Sequence, residues 1–170
     1  MTDAIRGAIE SAGAYLTEHP EEAAYTDSLA TARLVDGLRV RTEGPNGEVL
    51  ETDMPPAVGG AGSAASPGWY LRAAVASCVV SLATMRAAQL GWVNFRCDVE
   101  VDSASDDRGI LGLGASVPAG PLSMRIGLRA SADGIGLEQL DELAVWALEH
   151  CPVSDAVRRP IPVHVEVSER

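Results

Sequence analysis

The chain has 170 residues, and its 24 acidic and 13 basic side chains give a formal net charge of −11 at neutral pH. A chain of this length fits one domain and can bury a substantial core without disulfide bonds. The negative charge excludes nucleic acid and anionic membrane surfaces as expected partners, because both repel an acidic protein.

The cysteines and the apolar segments indicate a cytoplasmic protein. Three scattered cysteines form neither a secreted disulfide scaffold nor the CxxC or Cys/His spacing of a zinc site, so no metal is expected. The N-terminus lacks an apolar signal core, and the most apolar stretch, residues 73–85, is short and contains Ser77 and Ser81. We therefore expect no membrane span and no targeting segment.

The N-terminal part of the chain is predicted to be a helix followed by a β-hairpin. Apolar residues recur at helical spacing over residues 5–16, which predicts a helix that ends near Pro20. Apolar and charged residues then alternate on both sides of Asn46-Gly47, a pair that accepts the positive φ angles of a type I′ turn. Arg39 and Arg41 would share one face of the first hairpin strand.

Residues 57–68 are rich in glycine, alanine and serine. They superficially match a dinucleotide-binding fingerprint, but Met54-Pro55-Pro56 before them is not typical of a buried strand, and no acidic residue follows at the required distance. We expect this segment to be a flexible connection with no bound cofactor.

A long buried helix is predicted from Ser66-Pro67 to Gly91. The serine can cap free N–H groups, the proline suits a first helical turn, and the glycine suits a helix end. The apolar residues at helical spacing are Leu71, Val75, Cys78, Leu82 and Met85. By position alone, Cys78 is more often a core residue than a nucleophile.

The remaining elements alternate between strands and one helix. They are a strand over residues 95–102, a second strand from the turn at 106–109 to Val117, a third over 122–130, a helix over 137–150 and a last strand over 161–167. Cys97 falls on an apolar strand face, where we expect a structural role. Arg125 and Arg129 should face outward. The resulting fold class is α+β.

Cys151 stands at a junction, in the sequence His150-Cys151-Pro152-Val153-Ser154. The proline forces a change of direction and places the thiol near a helix start, whose N–H groups favour a thiolate. We expect His150 to be structural or exposed, since adjacent residues point in different directions. The two thiols can form a disulfide only if folding brings Cys78 and Cys151 together.

Five segments together resemble the OsmC/Ohr family, named for osmotically inducible protein C and organic hydroperoxide resistance protein. They are residues 53–60, Ser66-Pro67, the run 73–78 that ends in Cys78, the turn 107–109, and Cys151-Pro152-Val153-Ser154 before a valine-rich terminus. The resemblance covers about residues 29–168. We therefore expect an N-terminal helix and linker extension at 1–28 and an OsmC-like domain at 29–170.

The resemblance implies a fold and a reaction. The fold has antiparallel sheets wrapped around long central helices in an intertwined homodimer, with two sites near the subunit interface. Cys78 would be the peroxidatic nucleophile and Cys151 the resolving thiol, with no metal or organic cofactor. The thiolate cleaves the O–O bond, becomes a sulfenic acid and forms a disulfide, which an external dithiol such as a lipoyl group reduces.

The chain departs from the family at two positions. Gly68 stands where family peroxidases have a glutamate that orients an arginine beside the reactive thiol. Val35 stands near the expected place of that arginine. The candidates that replace it are Arg33, Arg39 and Arg41, of which we select Arg39, because a nearby guanidinium lowers a thiol pKa.

The sequence and the resemblance leave two functions open, an enzyme and a ligand-binding protein. The first is a peroxiredoxin-type hydroperoxide reductase that acts on organic hydroperoxides in the oxidative stress response, which the retained cysteine pair favours. The alternative is an OsmC-like protein without efficient peroxidase activity that binds a small apolar or electrophilic ligand, which Gly68 favours. A hydrolase ranks third, because Ser77 and Ser81 lack a nucleophile-elbow context. Trp69, Tyr70 and Trp92 would line an apolar pocket or belong to the core.

Overall fold

The computed structural model describes residues 2–169, which form two compact units. One unit comprises residues 7–74, and the other comprises residues 75–169 together with residues 2–6. The first contains a three-stranded antiparallel sheet and the second a two-stranded antiparallel sheet. The mixed α+β class predicted from the sequence is confirmed.

Helices and strands are interspersed along the whole chain. In chain order they are α1 Thr2–Glu18, β1 Thr31–Asp36, β2 Arg39–Glu43, β3 Val49–Thr52, α2 Pro67–Gln89, β4 Arg96–Ala104, α3 Asp107–Ile110, β5 Ser123–Ser131, α4 Leu137–His150 and α5 Pro152–Arg158. The elements α1, α2, β4, β5 and α4 lie close to their predicted bounds. Their hydrophobic periods are long and regular, which makes them readable from the sequence.

The predicted hairpin is present, but its turn differs. Strands β2 and β3 pair up to Glu43 and Val49, which leaves a five-residue loop at 44–48. Gly47 has a φ of 89°, whereas the described non-glycine residues with positive φ do not include Asn46. The type I′ prediction is therefore wrong. Asn46 instead donates its backbone and side-chain N–H groups to the Glu48 carboxylate, which closes a longer loop.

Strand β1, which the alternation did not predict, forms the edge of the same sheet. It pairs with β2 from Thr31 opposite Glu43 to Asp36 opposite Arg39, with an irregularity near its end. All six of its residues are exposed. A strand with no buried face has no reason to alternate apolar and polar residues, so its sequence carries no period of two.

The loop after β3 folds around the buried carboxylate of Asp53. This carboxylate accepts the backbone N–H groups of Ser63, Met54 and Ala61 at 2.9, 2.8 and 3.2 Å, and the Ser63 hydroxyl at 2.8 Å. The bonds from Ser63 contribute most to lowering the pKa of Asp53. The segment expected to be a flexible connection is thus fixed by hydrogen bonds to one side chain.

Helix α2 begins and ends as its sequence predicts. The Ser66 hydroxyl accepts the N–H of Trp69 at 3.3 Å, and Gly91, with a φ of 71°, follows the last turn. By length and composition alone, α2 is the one helix of residues 2–169 that could cross a membrane. That is weak evidence, because core helices of soluble proteins also meet this criterion.

The buried stripe of α2 is rotated relative to the predicted one. Its buried residues are Val75, Val79, Ala83, Ala87 and Ala88, whereas Met85 is exposed and Cys78 is half-buried. Within the unit of residues 75–169, the core cluster comprises Val75, Val79, Ala83, Ala87, Trp92, Leu143, Ala147 and Cys151. Cys78 therefore lies at the border of the core and not at its centre.

Strands β4 and β5 form the two-stranded sheet with the predicted faces. Their register runs from Arg96 opposite Ser131 to Ala104 opposite Ser123. The inner residues that pack on the core are Cys97, Val99, Val101, Met124, Ile126 and Leu128. On the outer face Arg129 pairs with Glu100 at 2.5 Å, and Arg125 pairs with Asp102. Cys97 has the structural position that its strand pattern indicated.

Two predicted strands are absent from the described residues. At 109–117 the chain forms α3 and irregular loops, because Asp106 accepts the N–H of Arg108 and starts a helical turn. Residues 161–167 form no strand. Their apolar side chains stay exposed: Ile161 by 47%, Val163 by 77%, Val165 by 80% and Val167 by 92%. No strand within residues 2–169 pairs with this alternating segment, so the segment predicted as the last strand belongs to neither sheet.

Gly60 should tolerate no side chain, because a Cβ there would lie 1.8 Å from the Met54 carbonyl oxygen and 2.9 Å from the Asp53 carboxylate. We expect Gly60→Ala to lower the free energy of unfolding by about 2 kcal/mol, measured by urea denaturation. Gly13→Ala is the matched control in the same unit, since its Cβ meets no atom within 4 Å and alanine favours a helix. Equal midpoints for the two variants would contradict the close approach.

Candidate active site

The two thiols of interest are presented by different elements of the unit of residues 75–169. Cys78 lies in the middle of α2 and is half-buried. Cys151 lies between α4 and α5, in extended backbone with φ −79° and ψ 112°, and is fully buried. Pro152 occupies the first turn of α5, so the chain reverses direction at Cys151 and its side chain caps that helix.

Folding brings the two thiols into contact. The side chains of Cys78 and Cys151 lie close enough for each to shift the pKa of the other, although the residues are far apart in the sequence. Both are free thiols in the structure. The sulfur of Cys151 also accepts the backbone N–H of Ser154 at 3.3 Å. A disulfide between these two residues would join sulfur atoms that are already neighbours.

The pKa values of the two thiols shift in opposite directions. Burial raises the pKa of Cys78, and Cys151 raises it further, against the opposing effect of the Val153 N–H group. Burial also opposes ionisation of Cys151, but hydrogen bonds from Ser154, Cys78 and the Val153 N–H group outweigh it and lower the pKa of Cys151. Of the two thiols in this unit, Cys151 therefore ionises at the lower pH.

Ser154 is a site residue that sequence reasoning missed. Its side chain is only 3% exposed, and its hydroxyl lowers the pKa of Cys151. The same hydroxyl makes no well-formed hydrogen bond with any partner in residues 2–169. The motif Cys-Pro-Val-Ser contains this serine, but only the capping turn of α5 shows that it faces the sulfur.

The candidate activating arginines lie in the unit of residues 7–74. Arg41 donates to Glu43 at 2.8 Å and to Glu51 at 3.4 Å, and Arg33 pairs with Glu43. These bonds, led by that of Arg33, lower the pKa of Glu43 to about 2. Arg39 is half-buried on β2, at the register position opposite Asp36. Arg33 and Arg41 are thus already engaged by carboxylates, and the role of Arg39 stays a prediction.

His150 does not act on its neighbour Cys151. Its ring stacks on Trp146 at 4.1 Å between centroids, and its Nδ1 lies 2.8 Å from the Trp146 carbonyl oxygen. Arg86 lies 5.0 Å from the centre of the Trp146 ring. The expectation of an exposed, structural histidine is confirmed.

The aromatic residues that were predicted to line a pocket or belong to the core differ in burial. Trp92 belongs to the core and contacts Phe95, whereas Trp69 is half exposed beside Tyr70. Among the described residues, one group could hold a metal ion: His19, Glu21 and Glu22. It is largely exposed in the unit of residues 7–74, and such acidic groups are common without an ion.

Comparison with known proteins identifies the family of the chain. The sequence model of the OsmC-like protein family matches residues 60–166, which is more than half of the chain and includes both thiols. No curated protein matches the sequence. Several solved structures share the fold.

Three of these structures illustrate the likeness. An organic hydroperoxide resistance protein OsmC of Legionella pneumophila is 24% identical, with 79% of this chain and 91% of that chain covered and a TM-score of 0.56. The organic hydroperoxide resistance protein OhrB of Bacillus subtilis is 21% identical, with 79% and 93% covered and a TM-score of 0.52. An OsmC-like protein of Mycoplasma pneumoniae is 12% identical, with 79% and 89% covered and a TM-score of 0.65. At these identities the structures establish the fold, and with the sequence match they show that the chain belongs to the OsmC-like protein family.

Proposed function

We propose that this protein is a thiol-dependent peroxidase that reduces organic hydroperoxides. The observation that carries the proposal is the proximity of the Cys78 and Cys151 thiols, each of which shifts the pKa of the other. A nucleophile and a resolving thiol must come close enough to form a disulfide, and a contact already present requires little movement. Two of the proteins with similar structures are organic hydroperoxide resistance proteins, which agrees with this reaction.

The proposed reaction uses the accessibility of the two sulfurs. Cys78 is half-buried and reachable, so its thiolate attacks the outer oxygen of the peroxide and releases an alcohol. Cys151 is fully buried and attacks the resulting Cys78 sulfenic acid from within, which forms the Cys78–Cys151 disulfide. A cytoplasmic dithiol, for instance a lipoyl group, then restores both thiols.

A second function, binding of a small apolar or electrophilic ligand without efficient peroxide reduction, is favoured by one specific observation. Burial and the neighbouring Cys151 raise the pKa of Cys78, and Gly68 supplies no carboxylate to orient an arginine. A protonated thiol reacts slowly with peroxides, because the thiolate is the nucleophile. The speed and selectivity of oxidation therefore distinguish the two functions.

Treatment of the reduced protein with cumene hydroperoxide should yield a Cys78–Cys151 disulfide rapidly, detected by peptide mass mapping. Cys151→Ser should stop the reaction at a Cys78 sulfenic acid that dimedone traps, because no resolving sulfur remains. Cys97→Ser is the control and should leave the disulfide unchanged, since Cys97 packs against the core on β4. Slow oxidation that spreads equally to Cys97 would favour the ligand-binding function.

Arg39 is proposed to favour ionisation of the peroxidatic thiol. Because a nearby guanidinium would favour the Cys78 thiolate, Arg39→Ala should slow peroxide consumption at neutral pH by about tenfold. Arg39→Lys should retain part of the rate, because it keeps the charge. The matched control is Arg125→Ala, which removes an arginine paired with Asp102 on the outer face of β5. Stopped-flow rates that are equal for the Arg39 and Arg125 variants would refute this role.

We also propose that the protein is a homodimer in which the C-terminal segment pairs with a second copy. Residues 161–167 alternate like a strand, and their valines are exposed by 77% or more. An alternating apolar segment without a sheet is suited to adding a strand elsewhere. We expect this segment to pair with the edge of a sheet in the second copy of the chain.

Light scattering should give twice the 17.7 kDa chain mass for the native protein. The double variant Val163→Lys, Val165→Lys should weaken the dimer, because it places charges on the apolar face of the segment. The control pair His164→Lys, Glu166→Lys changes the opposite face of the same segment and should remain dimeric. A native monomer, or equal effects of both pairs, would count against this interface.

A further inference from the structure

We propose that Cys151 carries the proton of Cys78 to the departing alcohol, and that the buried hydroxyl of Ser154 supports this step by donating to the charged Cys151 sulfur. The inference rests on the proposed peroxidase function and assigns roles within the same site. It gives Cys151 a catalytic task before it becomes the resolving thiol. Ser154 would be a positioning residue that acts through Cys151.

The first support is the set of donors around the Cys151 sulfur. This sulfur is fully buried, so a negative charge on it needs hydrogen bonds from the protein. It receives the Ser154 N–H at 3.3 Å and lies next to the Cys78 thiol. These neighbours would stabilise a negative charge on a sulfur that cannot reach solvent.

The second support is the hydroxyl of Ser154. Buried polar atoms nearly always have a partner, and exceptions require an explanation. The Ser154 hydroxyl is buried without a well-formed hydrogen bond in the part of the chain that the structure describes. Since a hydroxyl rotates about its Cβ–O bond and Cys151 caps the same helical turn, the sulfur is the acceptor that explains this orphan group.

The third support is that the two thiols differ both in the direction of their pKa shifts and in their accessibility. The more accessible thiol, Cys78, has a raised pKa, whereas Cys151, whose pKa is lowered, is fully buried and closed to a peroxide. The proximity of the two thiols offers a direct route for the proton. Transfer along it would create the thiolate on the sulfur that can attack.

The step conserves atoms and charge. The Cys78 thiol gives its proton to the Cys151 thiolate, and the Cys78 sulfur attacks the outer oxygen of ROOH as the O–O bond breaks. The alkoxide takes the proton from Cys151, which gives ROH, a Cys78 sulfenic acid and a Cys151 thiolate. This thiolate then attacks the Cys78 sulfur and releases hydroxide as the disulfide forms. The two sulfurs are oxidised by two electrons and the peroxide is reduced by two.

The other titratable groups near Cys151 do not compete for this role. Burial raises the pKa of Cys97, the remaining thiol that packs against the core cluster. His150 is stacked on Trp146, and Asp155 is paired with Arg159 at 2.5 Å. The step therefore concerns two thiols and one hydroxyl.

The test compares Ser154→Ala and Ser154→Thr with the native protein in a Cys97→Ala background. Thiolate formation is followed by ultraviolet absorbance against pH, and sulfenic acid formation by dimedone trapping under single turnover with cumene hydroperoxide. Ser154→Ala should shift the thiolate titration upward and slow the trapped reaction about tenfold on the acidic side, with recovery at high pH. Ser154→Thr keeps the hydroxyl and should restore most of both. Ser81→Ala, which removes an exposed α2 hydroxyl, should change neither.

The outcomes separate the inference from the proposed function. An unchanged titration in Ser154→Ala, or a rate loss that is equal at every pH, overturns the inference. Should Ser154→Ala fail to fold, Cys78→Ala decides: a thiolate that persists without Cys78 and disappears in Cys151→Ala supports it, and the reverse refutes it. Failure of every variant to consume peroxide, with the titration as expected, contradicts the peroxidase alone.

Discussion

The proximity of the Cys78 and Cys151 thiols is the constraint on which the proposed chemistry of this protein depends. One sulfur comes from the middle of a long helix, and the other from the junction of two helices. Both lie in or against one core cluster, whose buried residues on α2 and α4 include several alanines. Because Cys151 belongs to this cluster and Cys78 packs against it, packing of the core also fixes where the two thiols lie.

The thiol with the lowered pKa, Cys151, is fully buried, and the thiol with the raised pKa, Cys78, is the more accessible one. Desolvation opposes ionisation at both sulfurs, but the donors of the α5 turn compensate for it only at Cys151. The chain has Gly68, and not a glutamate, directly after Pro67, so it lacks the carboxylate that the family resemblance associates with an activating arginine. In the proposed mechanism, the second thiol accepts the proton and so generates the nucleophile without that carboxylate.

The two units are stabilised by different kinds of interaction. In residues 7–74 the buried carboxylate of Asp53 binds three backbone N–H groups and fixes a loop rich in glycine. In residues 75–169 an apolar cluster and the inner face of the two-stranded sheet form the core. The exposed strand β1 and the exposed C-terminal segment show that both units leave apolar or edge surface uncovered in the single chain.

The sequence by itself determined the elements that have a strong period or a local cap: helices α1, α2 and α4, the hairpin, and the faces of β4 and β5. It also singled out both cysteines through their neighbouring residues. Tertiary structure decided the rest. Strand β1 has no buried face to impose a period, and residues 161–167 find no partner strand within the described chain. The start of α3 is a local exception that the strand prediction overlooked, because its cap, Asp106, lies two residues from the N–H group it accepts. The contact of the thiols and the burial of Ser154 arise from packing between segments distant in the chain, which no local pattern records.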